Sequence, residues 1–106
     1  SPSTAELYYF KGIVLELLNQ PLEAVEEYKN ALFLNPQYYA ASVKLGLLLF
    51  KQKKYAEALA QFNKASKLSP DAAVNFYNQG ACHAKLQEYR QFFFDLSQNL
   101  PPDPNS

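Results

Sequence analysis

The sequence predicts an all-α protein, a solenoid of three stacked helical hairpins, and three observations support this fold class. The three glycines, Gly12, Gly46 and Gly80, follow one another at intervals of 34 residues. Self-similarity at a period of this length is typical of repeat architectures. Within each period two segments carry the apolar spacing of an amphipathic helix. The composition, 48% hydrophobic with 3 Gly in 106 residues, favours one compact helical domain.

The period divides the chain into three units and a tail. The prolines Pro36, Pro70 and Pro104 repeat at the same spacing as the glycines. We expect the repeat units to be 5–38, 39–72 and 73–100, followed by a Pro-rich tail at 101–106.

The first unit carries signals for two helices. Ser3 and Glu6 have the spacing of a capping box, and an apolar periodic run follows over 7–18. Pro21 suits the first turn of the next helix, where its missing N–H is not needed. That helix, expected over 22–34, places its apolar residues on one side and its charged residues largely on the other.

The same pair of helices is expected in the other two units. The second unit predicts helices over 38–52 and 55–68, and the third over 71–86 and 88–100. The prolines of the tail cannot continue a helix.

This pattern resembles the tetratricopeptide repeat, whose first helix carries a large aromatic residue and Leu-Gly, and whose second carries Ala, an aromatic residue and Ala before Pro. The resemblance implies a right-handed superhelix that binds other proteins, with the first helices on its concave side. We expect the glycines to let paired helices approach closely at Ala24 and Ala58. The matching residues are Tyr8, Gly12, Leu15, Ala24, Tyr28, Ala31 and Pro36, then Leu45, Gly46, Leu49, Ala58, Phe62, Ala65 and Pro70.

The third unit departs from this pattern. Its second helix has Phe92, Leu96 and Asn99 where the earlier units have Ala, an aromatic residue and Ala, which predicts poorer packing. A terminal repeat usually needs a polar outer face, but this helix contains the run Phe92, Phe93 and Phe94. We expect either that the chain is part of a longer array or that another molecule covers this end.

Composition disfavours several classes of function. Ten basic and ten acidic residues cancel, which argues against nucleic-acid partners, and no run is apolar enough to span a membrane. Cys82 and His83 are adjacent, so on a helix they point about 100° apart and make a poor nucleophile and base. We expect no catalysis, metal or cofactor. A single cysteine fits a reducing, cytoplasmic location.

A second apolar stripe on the first helices is the candidate binding site. Because such helices line the concave side in the family that this chain resembles, the stripe predicts an apolar groove; packing between neighbouring units is the alternative. Some relatives grip acidic peptide ends with polar residues there, but here only Lys44 and Asn78 are polar at the corresponding places. The predicted groove residues are Tyr9, Ile13, Leu17, Val43, Lys44, Leu47, Phe50, Tyr77, Asn78 and Ala81.

The sequence therefore favours a non-catalytic scaffold that binds an apolar peptide or helix in its groove. A homo-oligomer formed through the C-terminal hairpin at Phe92, Phe93 and Phe94 is an alternative, which dilution would distinguish. Binding of single-stranded RNA is a further alternative that the neutral charge disfavours, and a salt titration would decide it.

Overall fold

The structure, a computed structural model, describes residues 1–103 and Asn105. These residues form helices and connecting turns, without a β-strand. Pro104, the third member of the proline period, lies outside the described residues. The helices are α1 (Thr4–Leu17), α2 (Pro21–Leu34), α3 (Tyr39–Lys51), α4 (Tyr55–Leu68) and α5 (Ala73–Asn99).

The helix start signals at the N-terminal end are confirmed. The Ser3 side-chain oxygen accepts a hydrogen bond from the Glu6 N–H at 3.2 Å, and the Ser3 N–H donates to the Glu6 carboxylate at 3.2 Å. This reciprocal pair satisfies two of the amide donors that a helix start leaves free. Pro21 occupies the first position of α2, as its fixed φ angle favours.

The first two units turn in the same way. Asn19 and Lys53, which are one period apart, both have positive φ angles, of 59° and 64°. In each turn the next amide donates back to the preceding helix, from Gln20 to the Leu15 carbonyl and from Lys54 to the Leu49 carbonyl. The equal geometry makes α1–α2 and α3–α4 two copies of one hairpin.

A single hydrophobic core joins the hairpins, and each helix packs against the next one along the chain. The expected polar side of α2 faces water, since Glu23, Glu26 and Lys29 are exposed. The buried members of the core are Ala24, Val25, Tyr28, Ala31, Leu32, Ala41, Leu45, Leu48, Leu49, Ala58, Phe62 and Cys82.

At two of the glycines the neighbour that packs against the backbone is an aromatic ring and not an alanine. A Cβ atom added to Gly12 would lie 2.5 Å from the Tyr28 ring, and one added to Gly46 would lie 2.6 Å from the Phe62 ring. The close approach is therefore real at these two positions. The expectation that Ala24 and Ala58 receive it was wrong in detail, because ring atoms are the nearest neighbours.

Gly80 does not share this role. A Cβ atom added there would meet nothing within 4 Å. The residue at the ring position of the third unit is Leu96, which is 45% exposed. The close approach expected at Gly80 is therefore absent.

The predicted third hairpin was also wrong. A turn was expected near Gln87, but α5 runs without interruption through Asn99 and is 27 residues long. The third unit thus contributes one long helix, and the self-association surface expected on a C-terminal hairpin lies instead on the second half of α5.

The reason is that the turns of this chain depend on packing as well as on local sequence. A positive φ angle at a residue such as Lys53 costs about 1–2 kcal/mol, and burial of Ala58 and Phe62 against α3 offsets that cost. In the third unit Phe92 stands at the place of the buried alanine and Leu96 at the place of the ring. These residues do not supply the packing that offsets the cost of a turn, so the helix continues.

The two halves of α5 have different surroundings. The first half packs on α4 and buries Asn75, Asn78 and Cys82. Every residue from 87 to 100 is exposed. This projecting half accounts for the elongated dimensions of 63 × 31 × 24 Å. Across the described residues, no helix is both long and apolar enough to cross a membrane.

Candidate functional site

An apolar pocket of about 230 Å³ lies between α3, α4 and α5, and five of its lining residues belong to the predicted groove. The sequence missed the sixth, Phe62, since its match to the ring of the repeat marked it only as core. The lining residues are Leu47, Phe50, Phe62, Tyr77, Asn78 and Ala81.

The repeat positions these side chains. Leu47 and Ala81 are one period apart and therefore occupy equivalent places on α3 and α5. Phe62, only 1% exposed, forms part of the pocket wall and is held by its close contact with Gly46. A rigid aromatic ring thus lies beneath two neighbouring first helices, which is how the fold preforms the pocket.

The rim of the pocket is accessible. Tyr77 is 76% exposed and Leu47 is 40% exposed, so both can contact a partner without rearrangement of the core. Phe50 is half-buried, and its ring packs edge-on against Tyr55 with centroids 4.9 Å apart. The rim residues Leu47 and Tyr77 are therefore accessible for contact, whereas the buried Phe62 ring supports the pocket from below.

Asn78 adds a polar group to this apolar pocket. It is 8% exposed, and its Nδ2 amide has no hydrogen-bond partner among the described residues. A buried polar group without a partner costs free energy. A carbonyl oxygen of a bound molecule would relieve that cost.

The predicted groove residues of the first unit lie elsewhere. Tyr9 and Ile13 pack against the core, and the Tyr9 ring stacks on Tyr38 with centroids 5.0 Å apart. Leu17 is 81% exposed near the end of α1, and Val43 is half-buried on α3. Around Tyr9 and Ile13 the arrangement matches packing between neighbouring units, the alternative that the sequence left open.

Lys44 takes part in a polar cluster between units. Its Nζ lies 4.0 Å from the Glu16 carboxylate, which also accepts a hydrogen bond from the Tyr28 hydroxyl. Burial and this hydrogen bond raise the pKa of Tyr28 above its usual value. The pair between Glu16 and Lys44 is long and partly exposed, so Glu16 balances the charge of Lys44 but contributes little to stability.

The remaining candidate residues are those of the types that act in catalysis or bind a metal. Cys82 is completely buried, and burial raises the pKa of its thiol. Within residues 1–103 and Asn105, no three side chains of His, Cys, Asp or Glu cluster in a way that would hold a metal ion.

The predicted self-association residues are exposed on the second half of α5. Phe92, Phe93 and Phe94 are 63%, 72% and 56% exposed. Because neighbours on a helix point about 100° apart, the three rings face different sides of α5.

The repeated hairpins and the pocket between them define a helical-repeat protein of the solenoid class. Comparison with known proteins identifies the family within this class. The tetratricopeptide repeat family matches residues 11–73, more than half of the chain. The chain belongs to the tetratricopeptide repeat family.

Individual relatives agree with this assignment. Human Tetratricopeptide repeat protein 6 is 27% identical over 86 residues, covering 81% of this chain and 16% of that protein. Hsp70-Hsp90 organizing protein 1 of Glycine max is 30% identical over 90 residues, covering 85% and 16%. The chain thus spans about a sixth of the length of these relatives.

A solved structure shows the same fold. The crystal structure of YrrB, described as a TPR protein with an unusual peptide-binding site, superposes with a TM-score of 0.73. The two are 31% identical, and the match covers 82% of this chain and 45% of YrrB.

Proposed function

We propose that the chain is a non-catalytic binding module that captures an apolar side chain of a partner peptide or helix in the pocket between α3 and α5. One observation carries the proposal: the accessible apolar rim of Leu47 and Tyr77 lies above the buried Phe62 ring and beside the unpaired amide of Asn78. Convergence of apolar walls with one polar group is typical of binding pockets.

The energetics indicate more than one contact. Burial of a single large apolar side chain contributes about 1.5–3 kcal/mol, whereas a dissociation constant of 1 μM requires about 8 kcal/mol. The partner must therefore also contact the surface around the pocket. Donation from Asn78 to a backbone carbonyl of the partner would both orient that partner and satisfy the buried amide.

The charge of the site favours an apolar ligand over an acidic one. The six lining residues are uncharged, and Lys44 is paired with Glu16. A carboxylate buried here without donors would cost several kcal/mol. The relatives support a protein or peptide partner in general terms, since one is described by a peptide-binding site and another by the chaperones that it organizes.

The test is fluorescence anisotropy with a panel of labelled ten-residue peptides, each carrying one Leu and one Phe at different spacings in a Gly-Ser background. We expect at least one spacing to bind the wild type and Tyr77→Ala to weaken that binding by more than about tenfold. Phe76→Ala is the matched control, because Phe76 is an exposed neighbour on α5 that does not line the pocket. Failure of every spacing to bind, or equal losses in the two variants, would contradict the proposal.

Asn78→Ala separates binding from folding. Removal of an unpaired buried amide should leave the free energy of unfolding unchanged or slightly higher, while peptide affinity falls. A variant that loses stability but keeps affinity would show that Asn78 is structural and does not contact the ligand.

A further inference from the structure

The projecting half of α5 carries one regular apolar stripe. Tyr89, Phe93, Leu96 and Leu100 are separated by four, three and four residues, so at 3.6 residues per turn they share one side of the helix. All four are between 45% and 72% exposed. Phe92 flanks the stripe. We refer to the four residues Tyr89, Phe93, Leu96 and Leu100 as the α5 stripe.

The α5 stripe continues the side of the helix that α4 covers. Upstream on that side are the buried residues Asn75, Asn78 and Cys82. Coverage ends at Tyr89, whose ring lies 5.7 Å from that of Tyr55, the first residue of α4. Beyond this contact the helix keeps its apolar side, but no described residue lies against it.

We propose that the α5 stripe is an interface with a second copy of this chain, whose α5 lies antiparallel along it. A two-fold interface brings the same patch of both copies together, so its spacing must be identical in either direction. The sequence 4, 3, 4 meets that condition. It pairs Tyr89 with Leu100 of the second copy, and Phe93 with Leu96 of the second copy.

The position of α4 selects the antiparallel orientation. A parallel second helix on this side would extend upstream into the space that α4 occupies. An antiparallel helix extends away from α4, and its last apolar residue, Leu100, reaches the level of Tyr89. The second copy thus fills the length from Tyr89 to Leu100 that α4 leaves bare.

An open depression at this junction fits the same arrangement. It has a volume of about 290 Å³ where α4 begins beside α5, and Tyr55, Leu86 and Tyr89 line it together with Lys53, Lys54, Ala56 and Glu57. Leu100 of the second copy would enter this space in the antiparallel pairing. The chain after Leu100 begins with two prolines, which end the helix before it meets α4.

Charge is compatible with self-pairing. Arg90, which borders the α5 stripe, would face Ser97 of the second copy, and Glu88 and Asp95 lie toward the outer side of the helix. The pairing therefore brings no like charges into opposition, so repulsion does not oppose it.

Phe94 is not part of this interface. At about 100° per residue its side chain points about 100° away from Phe93 and about 160° away from Leu96 around α5. The sequence treats Phe92, Phe93 and Phe94 as one surface, whereas the continuous helix separates them. This separation provides an adjacent control of identical chemistry.

The test is sedimentation velocity of the full chain over a hundredfold range of concentration that includes the micromolar range. We expect a reversible monomer–dimer equilibrium that Phe93→Glu weakens by more than about tenfold, while Phe94→Glu leaves the dissociation constant within about threefold of wild type. Far-UV circular dichroism establishes that both variants keep the body folded. A wild-type monomer throughout, a larger assembly, or equal effects of the two variants would overturn the proposal.

Cross-linking tests the orientation. Arg90→Cys and Ser97→Cys chains, mixed and treated with a short bis-maleimide, should give a mixed cross-linked dimer, and each variant alone should give little. Wild type is the control for the native Cys82, which is buried. Cross-linking within one variant that equals that of the mixture would rule out the antiparallel pairing. Because Phe93 lies outside the peptide pocket, Phe93→Glu should retain peptide binding, so the two proposals fail independently.

Discussion

The second and third units share one sequence period but reach different structures. In the second unit the Phe62 ring packs against Gly46 and α4 folds back on α3. In the third unit Leu96 occupies the ring position, a Cβ atom added to Gly80 would meet no described side chain within 4 Å, and α5 continues as one helix. The presence of a glycine does not by itself close a hairpin, because the glycine requires a ring from the second helix to fill the space that it leaves.

This difference also separates two surfaces. Where the hairpin closes, its second helix supplies the Phe62 wall of an apolar pocket. Where it does not close, the same side of the helix remains an apolar stripe. One repeat pattern therefore produces a pocket in the body and a linear apolar surface on the projecting helix.

The largest contrast is expected at the ring position. Phe62→Ala should lower the free energy of unfolding by about 3–5 kcal/mol, since it empties a fully buried site. Leu96→Ala, at the equivalent place one period later, should change it by no more than about 0.5 kcal/mol in dilute monomer, as is usual for exposed residues. Urea denaturation of both variants measures the difference, and similar losses would contradict the assignment of Leu96 to an unpartnered surface.

A smaller contrast is expected at the glycines. Gly46→Ala should destabilise by about 1–3 kcal/mol, because the new methyl group overlaps the Phe62 ring. Gly80→Ala should stabilise by about 0.5–1 kcal/mol, because alanine favours the helix and the added atom meets open space. Thermal melts measure the change in stability of both variants. Changes of the same sign at Gly46 and Gly80 would contradict the close approach of the Phe62 ring to Gly46. Gly46→Leu should be more damaging still.

The smallest effect concerns the hydrogen bond between Tyr28 and Glu16. Tyr28→Phe should cost about 1 kcal/mol at neutral pH, because the ring remains against Gly12 and only the hydroxyl is lost. The unfolded chain ionises its tyrosines near about pH 10, whereas folding raises the pKa of Tyr28. Stability should therefore fall as the pH rises above about 10.

The control is how steeply the free energy of unfolding falls with pH. Tyr28→Phe should lose stability less steeply with pH than wild type does, although Tyr9 and Tyr38, whose pKa values burial also raises, keep part of the slope. Parallel stability profiles in the two proteins would show that the Tyr28 hydroxyl is not linked to folding.

The sequence predicts the first four helices well because local signals and packing agree there. The capping box at Ser3 and the proline at Pro21 mark helix starts, and the apolar spacing marks the buried sides. The pocket residues on α3 and α5 follow from the period. These features depend on residue type and spacing alone.

The remaining features depend on three-dimensional contacts that spacing does not encode. The turn expected at Gln87 does not form, because Phe92 and Leu96 stand where the closed hairpin needs an alanine and a ring. Tyr9 is drawn into the core by its stack on Tyr38. Phe62 becomes part of the pocket wall only because two first helices lie over it. The departures at Phe92, Leu96 and Asn99 were the signal in the sequence that the third hairpin would differ.

Hydrogen exchange at a concentration where the chain is monomeric tests most directly the claim that the second half of α5 has no partner among the described residues of its own chain. Amides of α4 should be protected by the full stability of the core, whereas those at 90–99 should exchange many-fold faster through local opening. Protection at 90–99 should then rise with protein concentration, while that of α4 stays constant. Equal protection of both segments in dilute monomer would show that the helix folds back on the body, and would contradict the account.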